Sequence, residues 1–401
     1  MDKINAFSRR QLDNRPKEVR FCKRCVISNQ RPRITIDEEG ICSACRYTEE
    51  KQNSIDWEAR KNQLKELCDA HRKDDGSFDV IVPCSGGKDS ASVAHKLKTW
   101  YGMHPLTVTW APFMYTDIGK QNFTNFIQSG FHNLLASPNG RLHRKLARIS
   151  MEALGEPFQP FIYGQMSFAF HIAAKFGIQL VFFGENGEVE YGGSTKNKDK
   201  PCNPVEDWAD LYFSGVTVDD LIEWGLQRGY LKDTDFHKSD LTFYKPPRLE
   251  ELKGKDIQMH WFGYYHRWFP QENFYHAAEH TGFQANPDGR SEGTYSKYAS
   301  LDDRLDGMHY YLGFIKFGIG RGTSDAAHEV RDGHITRDEA VALVQRYDGE
   351  YPKKYLQECL KYLEMTEGEF NTLADRYREA SPHLWERVGQ EWRLKHRVTR
   401  T

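Results

Sequence analysis

The 401-residue sequence has no run approaching the ~18 apolar residues of a membrane span. Its mean hydropathy is −0.73. The first twenty residues, MDKINAFSRRQLDNRPKEVR, lack the apolar stretch of a secretory signal, so a cytoplasmic location is expected. Charge of neither sign dominates: Lys+Arg is 55 and Asp+Glu is 57, a formal net charge of −2. That balance argues against a dedicated nucleic-acid coat but leaves room for a local basic patch. Internal repeats and low-complexity runs are also missing. Together these absences exclude a membrane protein, a disordered chain and a collagen-like repeat. With 39% hydrophobic and 13% aromatic residues, the chain can build a sizeable core. At roughly 150 residues per domain, its length suggests two or three domains.

Eight cysteines stand at 22, 25, 42, 45, 68, 84, 202 and 359. Cys22-Lys-Arg-Cys25 and Cys42-Ser-Ala-Cys45 form C-x2-C-x16-C-x2-C, the spacing of a four-thiolate zinc site. Each two-residue spacer is a tight turn that turns both sulfurs toward one ion. Two such turns close a tetrahedral shell at ~2.3 Å. A closed shell has no open position, so the zinc is expected to be structural. An iron–sulfur cluster is the weaker alternative, because the spacing is that of a zinc ribbon and not of a ferredoxin. Cys68 and Cys359 sit in helical patterns and read as small core residues.

Beyond the cysteines, strand and helix patterns alternate. Apolar runs at 78–84, 105–110, 131–137 and 178–184 read as strands. Helical spacing occupies 54–73 (with Ser54 as N-cap), 88–102, 118–129, 141–154 and 167–176. This alternation predicts an α/β fold, a doubly wound, mostly parallel sheet with helices on both faces. Residues 185–300, rich in Gly, Pro and aromatics, read as an insertion or lid with short helices at 217–228 and 271–281. The last third reads as helical: Thr336 with Glu339 and Thr366 with Glu369 fit capping boxes, and Pro352 fits a first turn. The expected organisation is a zinc-bearing segment at 1–53, an α/β domain at 54–200, the insertion at 201–300 and a helical part at 301–401.

The first strand runs into Ser85-Gly86-Gly87-Lys88-Asp89-Ser90, where a helix opens. Backbone N–H groups and the helix dipole at such a junction favour an anion. Adjacent glycines allow close backbone approach, two serines add hydroxyls and Lys88 adds charge. The pattern is neither Walker A nor G-x-G-x-x-G.

SGGKDS after the first strand resembles the PP-loop of the ATP pyrophosphatases, a superfamily that includes GMP synthetases, NAD synthetases and tRNA thiolases. PFQPFIYGQ (157–165), FGENGEVEYGG (183–193), EGTYSKYASLDDRLDG (292–307) and IKFGIGRGTSDAAHEVR (315–331) narrow the resemblance to the N-acetyl sugar amidotransferases of lipopolysaccharide O-antigen and pseudaminic- or legionaminic-type pathways. The resemblance covers about residues 20–385. It implies an adenine nucleotide α-hydrolase-like fold, ATP and Mg²⁺, and Ser85, Gly86, Gly87, Lys88, Asp89, Ser90, Thr109 and Gly184 around the nucleotide. It also implies an ATP-dependent ligase that converts a sugar acetamido group to an acetamidino group. The substrate is expected to be a nucleotide sugar or a nonulosonic acid. Cys84 departs from the small apolar residue expected before the loop, and packing is its expected role.

Candidate catalytic residues are Lys88, Asp89, Glu185, Glu188, Lys316 and Arg321. Glu185 and Glu188 follow the fourth strand, where open parallel sheets bind ligands, and suit Mg²⁺, sugar hydroxyls or a general base. Lys316, Arg321 and Thr323 lie in a glycine-rich stretch that could present a guanidinium to a phosphate or carboxylate. Lys297, Asp302, Asp303 and Arg304 make a mixed-charge cluster. Tyr265, His266, Trp268 and Tyr275 could stack on a sugar or base, though core packing is the commoner role. His309 and His328 read as structural. No glutaminase nucleophile is evident: position 2 is Asp, and no Gly-x-Cys-x-Gly elbow occurs. The resemblance therefore implies a separate glutaminase and a cyclase-like ammonia-channel subunit. Nucleic acid and membranes are not expected partners. A tRNA thiolase is the first alternative, since Arg9, Arg10, Arg15, Lys17, Arg20, Lys23 and Arg24 make a basic start. Only Cys84 and Cys202 are available for its sulfur chemistry. A non-catalytic zinc-ribbon scaffold is the second alternative.

Overall fold

A computed structural model describes residues 5–202 and 215–400. The lead segment forms a helix, α1 (Ala6–Asp13), capped by the Asn5 side chain and tied to the Ala153 carbonyl through Ser8 Oγ at 2.7 Å. The cysteine-bearing segment ends in α2 (Ser43–Asn53). Next comes α3 (Trp57–His71), whose cap is Asp56 and not Ser54: the Asp56 carboxylate accepts the Ala59 N–H at 3.0 Å.

The sheet follows the expected alternation: β1 (Val80–Pro83), α4 (Lys88–Trp100), β2 (Pro105–Trp110), α5 (Asp117–Gln128), β3 (His132–Ala136), α6 (Gly140–Leu154), α7 (Gln159–Phe176) and β4 (Leu180–Phe183). Every residue of β2 is buried, so both faces of the sheet are covered. Helices α4 and α7 pack on β1, β2 and β4.

Residues 201–300 are not only a lid. After α8 (Val218–Gln227) and α9 (Leu249–Gly254), β5 (Gln258–Trp261) adds a fifth parallel strand beside β4, in the order β3-β2-β1-β4-β5. Its four residues, Gln-Met-His-Trp, carry no β-branched side chain. Their place depends on a long-range pairing that local propensity does not report. α10 (Phe262–Tyr265) and α11 (Pro270–Thr281) follow.

The remaining helices are α12 (Asp306–Phe317), α13 (Arg321–Asp332), α14 (Arg337–Tyr347), α15 (Leu356–Tyr362) and α16 (Glu367–Glu379). Both expected capping boxes are present. Pro352 instead lies in a tight turn before α15, spanned by a Lys353 N–H to Tyr351 carbonyl hydrogen bond at 2.9 Å. The chain closes on an antiparallel hairpin, β6 (Trp385–Val388) with β7 (Glu391–Leu394), within the part expected to be helical. One apolar cluster joins Val26, Ile27 and Ile34 of the cysteine segment to Ala326, Ala327, Val341 and Val344 of α13 and α14. Cys68 and Cys359 are core residues.

The chain leaves β1 toward β2 and β3, then crosses back to β4 on the other side of β1. This reversal opens a crevice beyond the carboxyl ends of β1 and β4. The 84–90 loop and the 184–191 segment both enter it.

Candidate active site

The loop after β1 is held open from behind. The Cys84 N–H donates to the Val108 carbonyl at 2.8 Å, and Thr109 Oγ1 donates to the Cys84 carbonyl. Gly86 has φ +86°, and a Cβ there would lie 2.6 Å from the Phe123 Cα in α5. Only glycine fits both constraints. Gly87 caps α4 without a side-chain hydrogen bond, so no cap serves the first-turn N–H groups that open onto the cleft. Ser90 Oγ donates to the Gly87 carbonyl at 3.2 Å.

A cleft of about 410 Å³ lies against this loop. Ser85, Gly87, Lys88, Asp89 and Ser90 line it with Thr109, Gly184 and Glu185. Gly184 is needed for space, since a Cβ would sit 2.7 Å from the Trp268 ring. Lys88 pairs with Asp89 and lies 5.2 Å from the Tyr298 ring centre. Asn273 Nδ2 donates to Asp89 Oδ1 at 3.1 Å. Burial pushes the Glu185 carboxyl up to about 7; Asp89 and Glu190 add to the rise, and Lys88 opposes it. The Glu188 side chain lies outside the described part of the structure.

The opposite wall comes from residues 298–321. Ser85 Oγ donates to Asp302 Oδ2 at 2.6 Å, joining the loop to a residue 217 positions away. Burial raises the Asp302 carboxyl, while Ser85 and Lys88 lower it. Asp89 and Asp302 thus bring two carboxylates to one glycine-lined anion cradle, a donor set that suits Mg²⁺ with a polyphosphate. Asp303 is a fold residue: it accepts the Phe113, Met114 and Leu305 N–H groups. Burial also raises the Asp306 carboxyl well above the usual range, and Asp303 and Asp302 push it further.

A second chamber of about 510 Å³ shares Lys88, Asp89, Tyr298, Tyr310 and Arg321 with the cleft. Arg321 opens α13 at this junction. It is oriented by Asp325 at 2.9 Å and by the Tyr310 hydroxyl at 3.0 Å. His309 and His328, expected as structural, line the chamber beside Glu156 and Asp332.

Lys316 lines neither space. Its ammonium donates to the Leu154 carbonyl at 3.0 Å, and its own carbonyl accepts from Arg15. It lies in the last turn of α12, not in a glycine loop, and that helical phase turns it into the interior. Thr323 is likewise spent on Asp348. Lys297 lies over Phe274, and Arg304 pairs with Glu358. Tyr265 and Trp268 are core, Tyr275 is exposed, and His266 bonds Tyr101, so none of these aromatics lines the cleft or the chamber. Sequence reasoning missed Asn273, Tyr298 and Tyr310, and it saw Asp302 only as part of a charge cluster.

The four paired cysteines are fully buried, with their sulfurs within 4.8 Å of one another. Two of the sulfur–sulfur edges, Cys25–Cys42 and Cys22–Cys45, are 3.7 and 3.9 Å. A tetrahedron of 2.3 Å metal–sulfur bonds has edges of ~3.8 Å. Backbone N–H groups of Arg24 and Cys42 reach Cys22 Sγ at 3.4 and 3.3 Å, and that of Cys45 reaches Cys42 Sγ at 3.4 Å. The donor set fits one zinc.

Residues 292–399 match the family model described as the LPS biosynthesis protein WbpG-like, C-terminal domain. The C-terminal part of this chain is thus similar to the WbpG-like family. No curated protein matches the chain. The WbpG-like region therefore supplies Tyr298, Asp302, Tyr310 and Arg321, the wall facing the glycine loop. The description of the matched family names lipopolysaccharide biosynthesis. No helix among the described residues is long and apolar enough to cross a membrane.

Proposed function

We propose that this chain is an ATP-dependent amidotransferase that turns a sugar N-acetyl group into an acetamidino group for a surface polysaccharide or nonulosonic acid. One observation carries the reading. The glycine loop and the WbpG-like wall meet through Ser85 and Asp302 in one cleft, and that cleft continues past Arg321 into a second chamber. Such a layout suits two substrates, with ATP on the loop side and the acetamido sugar beyond it.

The chemistry requires an activated oxygen. An amide carbonyl is a poor electrophile because its nitrogen donates into it. Transfer of AMP to the amide oxygen, with release of pyrophosphate, makes that oxygen a leaving group. Ammonia then forms the new C–N bond, and the C–O electron pair departs with AMP. The first-turn N–H groups of α4, Ser85 and Lys88 would hold the polyphosphate; Asp89 and Asp302 would hold Mg²⁺. Glu185, titrating near neutrality, is poised to take a proton from the incoming nitrogen. Arg321 would fix an anionic group of the acceptor. Most of the rate enhancement would come from positioning and charge stabilisation. The nitrogen is proposed to come from a separate glutaminase through a cyclase-like channel subunit.

Sulfur transfer is the weaker reading. Burial pushes the Cys84 thiol up to about 12, and Cys202 lines neither space. The test is incubation with ATP, Mg²⁺, ammonium and acetamido sugars, following each sugar by mass. Oxygen should be exchanged for NH in step with AMP and pyrophosphate. AMP formation without change in any sugar would reject the reading.

A further inference from the structure

The segment that carries Glu185 is held at both ends. At its start, the Gly263 N–H of α10 donates to the Gly184 carbonyl at 2.7 Å. A Cβ at Gly263 would lie 2.7 Å from the Asn186 nitrogen, so the two backbones touch. One 3-10 turn (Gly187–Tyr191) then leads to Gly192, which meets the cysteine segment. Gly192 has φ +81°, and a Cβ there would lie 2.9 Å from Ile34 and 3.3 Å from Ala44.

Between these ends the cysteine segment reaches in through α2. Lys51 and Glu190 form an ion pair at 2.7 Å, with side chains 7% and 1% exposed. Asn186 Nδ2 donates to the Tyr47 hydroxyl at 2.8 Å. Arg331 Nη2 of α13 donates to the Glu190 carbonyl at 3.1 Å. The ion pair is a costly fastener. Two charges are taken out of water, and apolar residues of similar volume often hold as well or better. The second oxygen, Glu190 Oε1, is buried and accepts no hydrogen bond among the described residues. Packing alone therefore does not account for a charge at 190. That charge does act on one titrating neighbour. After burial and Asp89, Glu190 adds to the rise of the Glu185 carboxyl. The other groups facing Glu185 are Lys88 and Asp89 of α4 and the Tyr191 hydroxyl of its own segment.

We propose that Lys51 and Glu190 are positioning residues for Glu185: through them the four-cysteine segment holds the base at the cleft, so that zinc supports proton transfer without touching either substrate. The inference rests on the reading of Glu185 as the base. It gives the zinc segment a task in the reaction and not only in folding.

The test uses the full-length, zinc-loaded chain. Lys51→Met with Glu190→Met replaces the pair by apolar groups and keeps the protein folded. Glu190→Gln removes one charge and leaves Lys51 behind. Rates of AMP formation with ammonium and an acetamido sugar are measured across pH 5–9. In the double variant the maximal rate should fall about tenfold, with half-saturation by ATP and zinc content unchanged. The acid limb of the profile should move to lower pH by about half a unit, and further in Glu190→Gln, because a carboxylate near Glu185 has gone. A limb that stays put in the folded double variant would overturn the couple, since a merely structural pair leaves the profile where it was.

Hydrogen exchange gives a readout without turnover. Stripping zinc with a chelator should speed exchange of residues 184–192 on the order of tenfold, while β1 to β3 keep their protection. Unchanged exchange in 184–192 would overturn the link to the zinc segment. If Glu185→Gln keeps the wild-type acid limb, the reading of Glu185 as the base fails. Faster exchange on zinc removal would then still support the mechanical hold of Lys51 and Glu190 on this segment.

Discussion

The glycine loop and the wall that faces it form one cleft, yet they are built in opposite ways. The loop motif is six consecutive residues, Ser85–Ser90, that run from the turn after β1 into the first turn of α4, and its chemistry follows from local order. The wall is gathered from Tyr298, Asp302, Tyr310 and Arg321, and only tertiary packing brings these to the loop. A contiguous motif announces itself in sequence; an assembled surface does not. If both halves act on the same substrates, damage to either should stop the same reaction, and that expectation can be attacked.

The largest effect is expected at Gly86. Gly86→Val must place a branched side chain at φ +86° and into the α5 backbone. Loss of ATP-dependent turnover by ~100-fold or more is expected, with zinc content unchanged. Gly87→Val meets no backbone, only Ser85 Oγ at 3.3 Å and Asp302 Oδ2 at 3.8 Å from its Cβ, so its harm must come from crowding the site and blocking the phosphate approach. Full activity in both variants would remove the loop from the site.

Next is Asp302→Asn, which tests whether the wall equals the loop. The change keeps the shape but removes a carboxylate that orients Ser85 and would share Mg²⁺ with Asp89. A fall of about 100-fold in AMP formation is expected, with a raised Mg²⁺ requirement. A change of less than about threefold would make Asp302 a purely structural partner of Ser85.

Glu185 gives a smaller effect with a definite sign. Its carboxyl ordinarily titrates near 4.5 and is pushed up to about 7 in the cleft. The base must be ionised, so activity should climb with pH through about 7. For stability the sign runs the other way. Between about 4.5 and 7 the folded protein holds a proton that the unfolded chain has lost, so this contribution is full below 4.5 and disappears as pH rises through 7. Glu185→Gln should flatten both profiles, reducing turnover about tenfold to 100-fold. Unfolding midpoints and initial rates across pH 5–9 would check both signs.

How much could be read beforehand follows the same division. Strands β1 to β4 are apolar runs closed by turns, so pattern alone exposed them. β5 stayed hidden because Gln258 and His260 break the apolar run, and its partner β4 lies more than seventy residues upstream. The cysteine pairs carried their spacing in plain view. Lys316 misled because its neighbours Gly318, Gly320 and Gly322 suggest a loop, whereas it completes a helix whose phase points it inward. Asp302 was visible as a charge, but its partner Ser85 was not, because no local rule spans 217 residues.

The smallest effect separates nitrogen from sulfur transfer. Cys84 sits at the back of the cleft, 3% exposed, with its thiol pushed up to about 12 by burial. Near neutral pH almost none of it is thiolate, and the thiolate is the form that attacks or carries sulfur. Cys84→Ser changes one atom and places a hydroxyl where a weakly polar thiol was. The cost should fall on stability, on the order of 1 kcal/mol, because a buried hydroxyl needs a hydrogen-bond partner. Ser85 and Gly86 keep their backbone positions, so amidination should stay within about twofold of wild type. Abolished turnover in a folded, zinc-loaded Cys84→Ser protein would make the thiol a reagent. It would shift the whole cleft toward sulfur chemistry, with the wall reading a different acceptor.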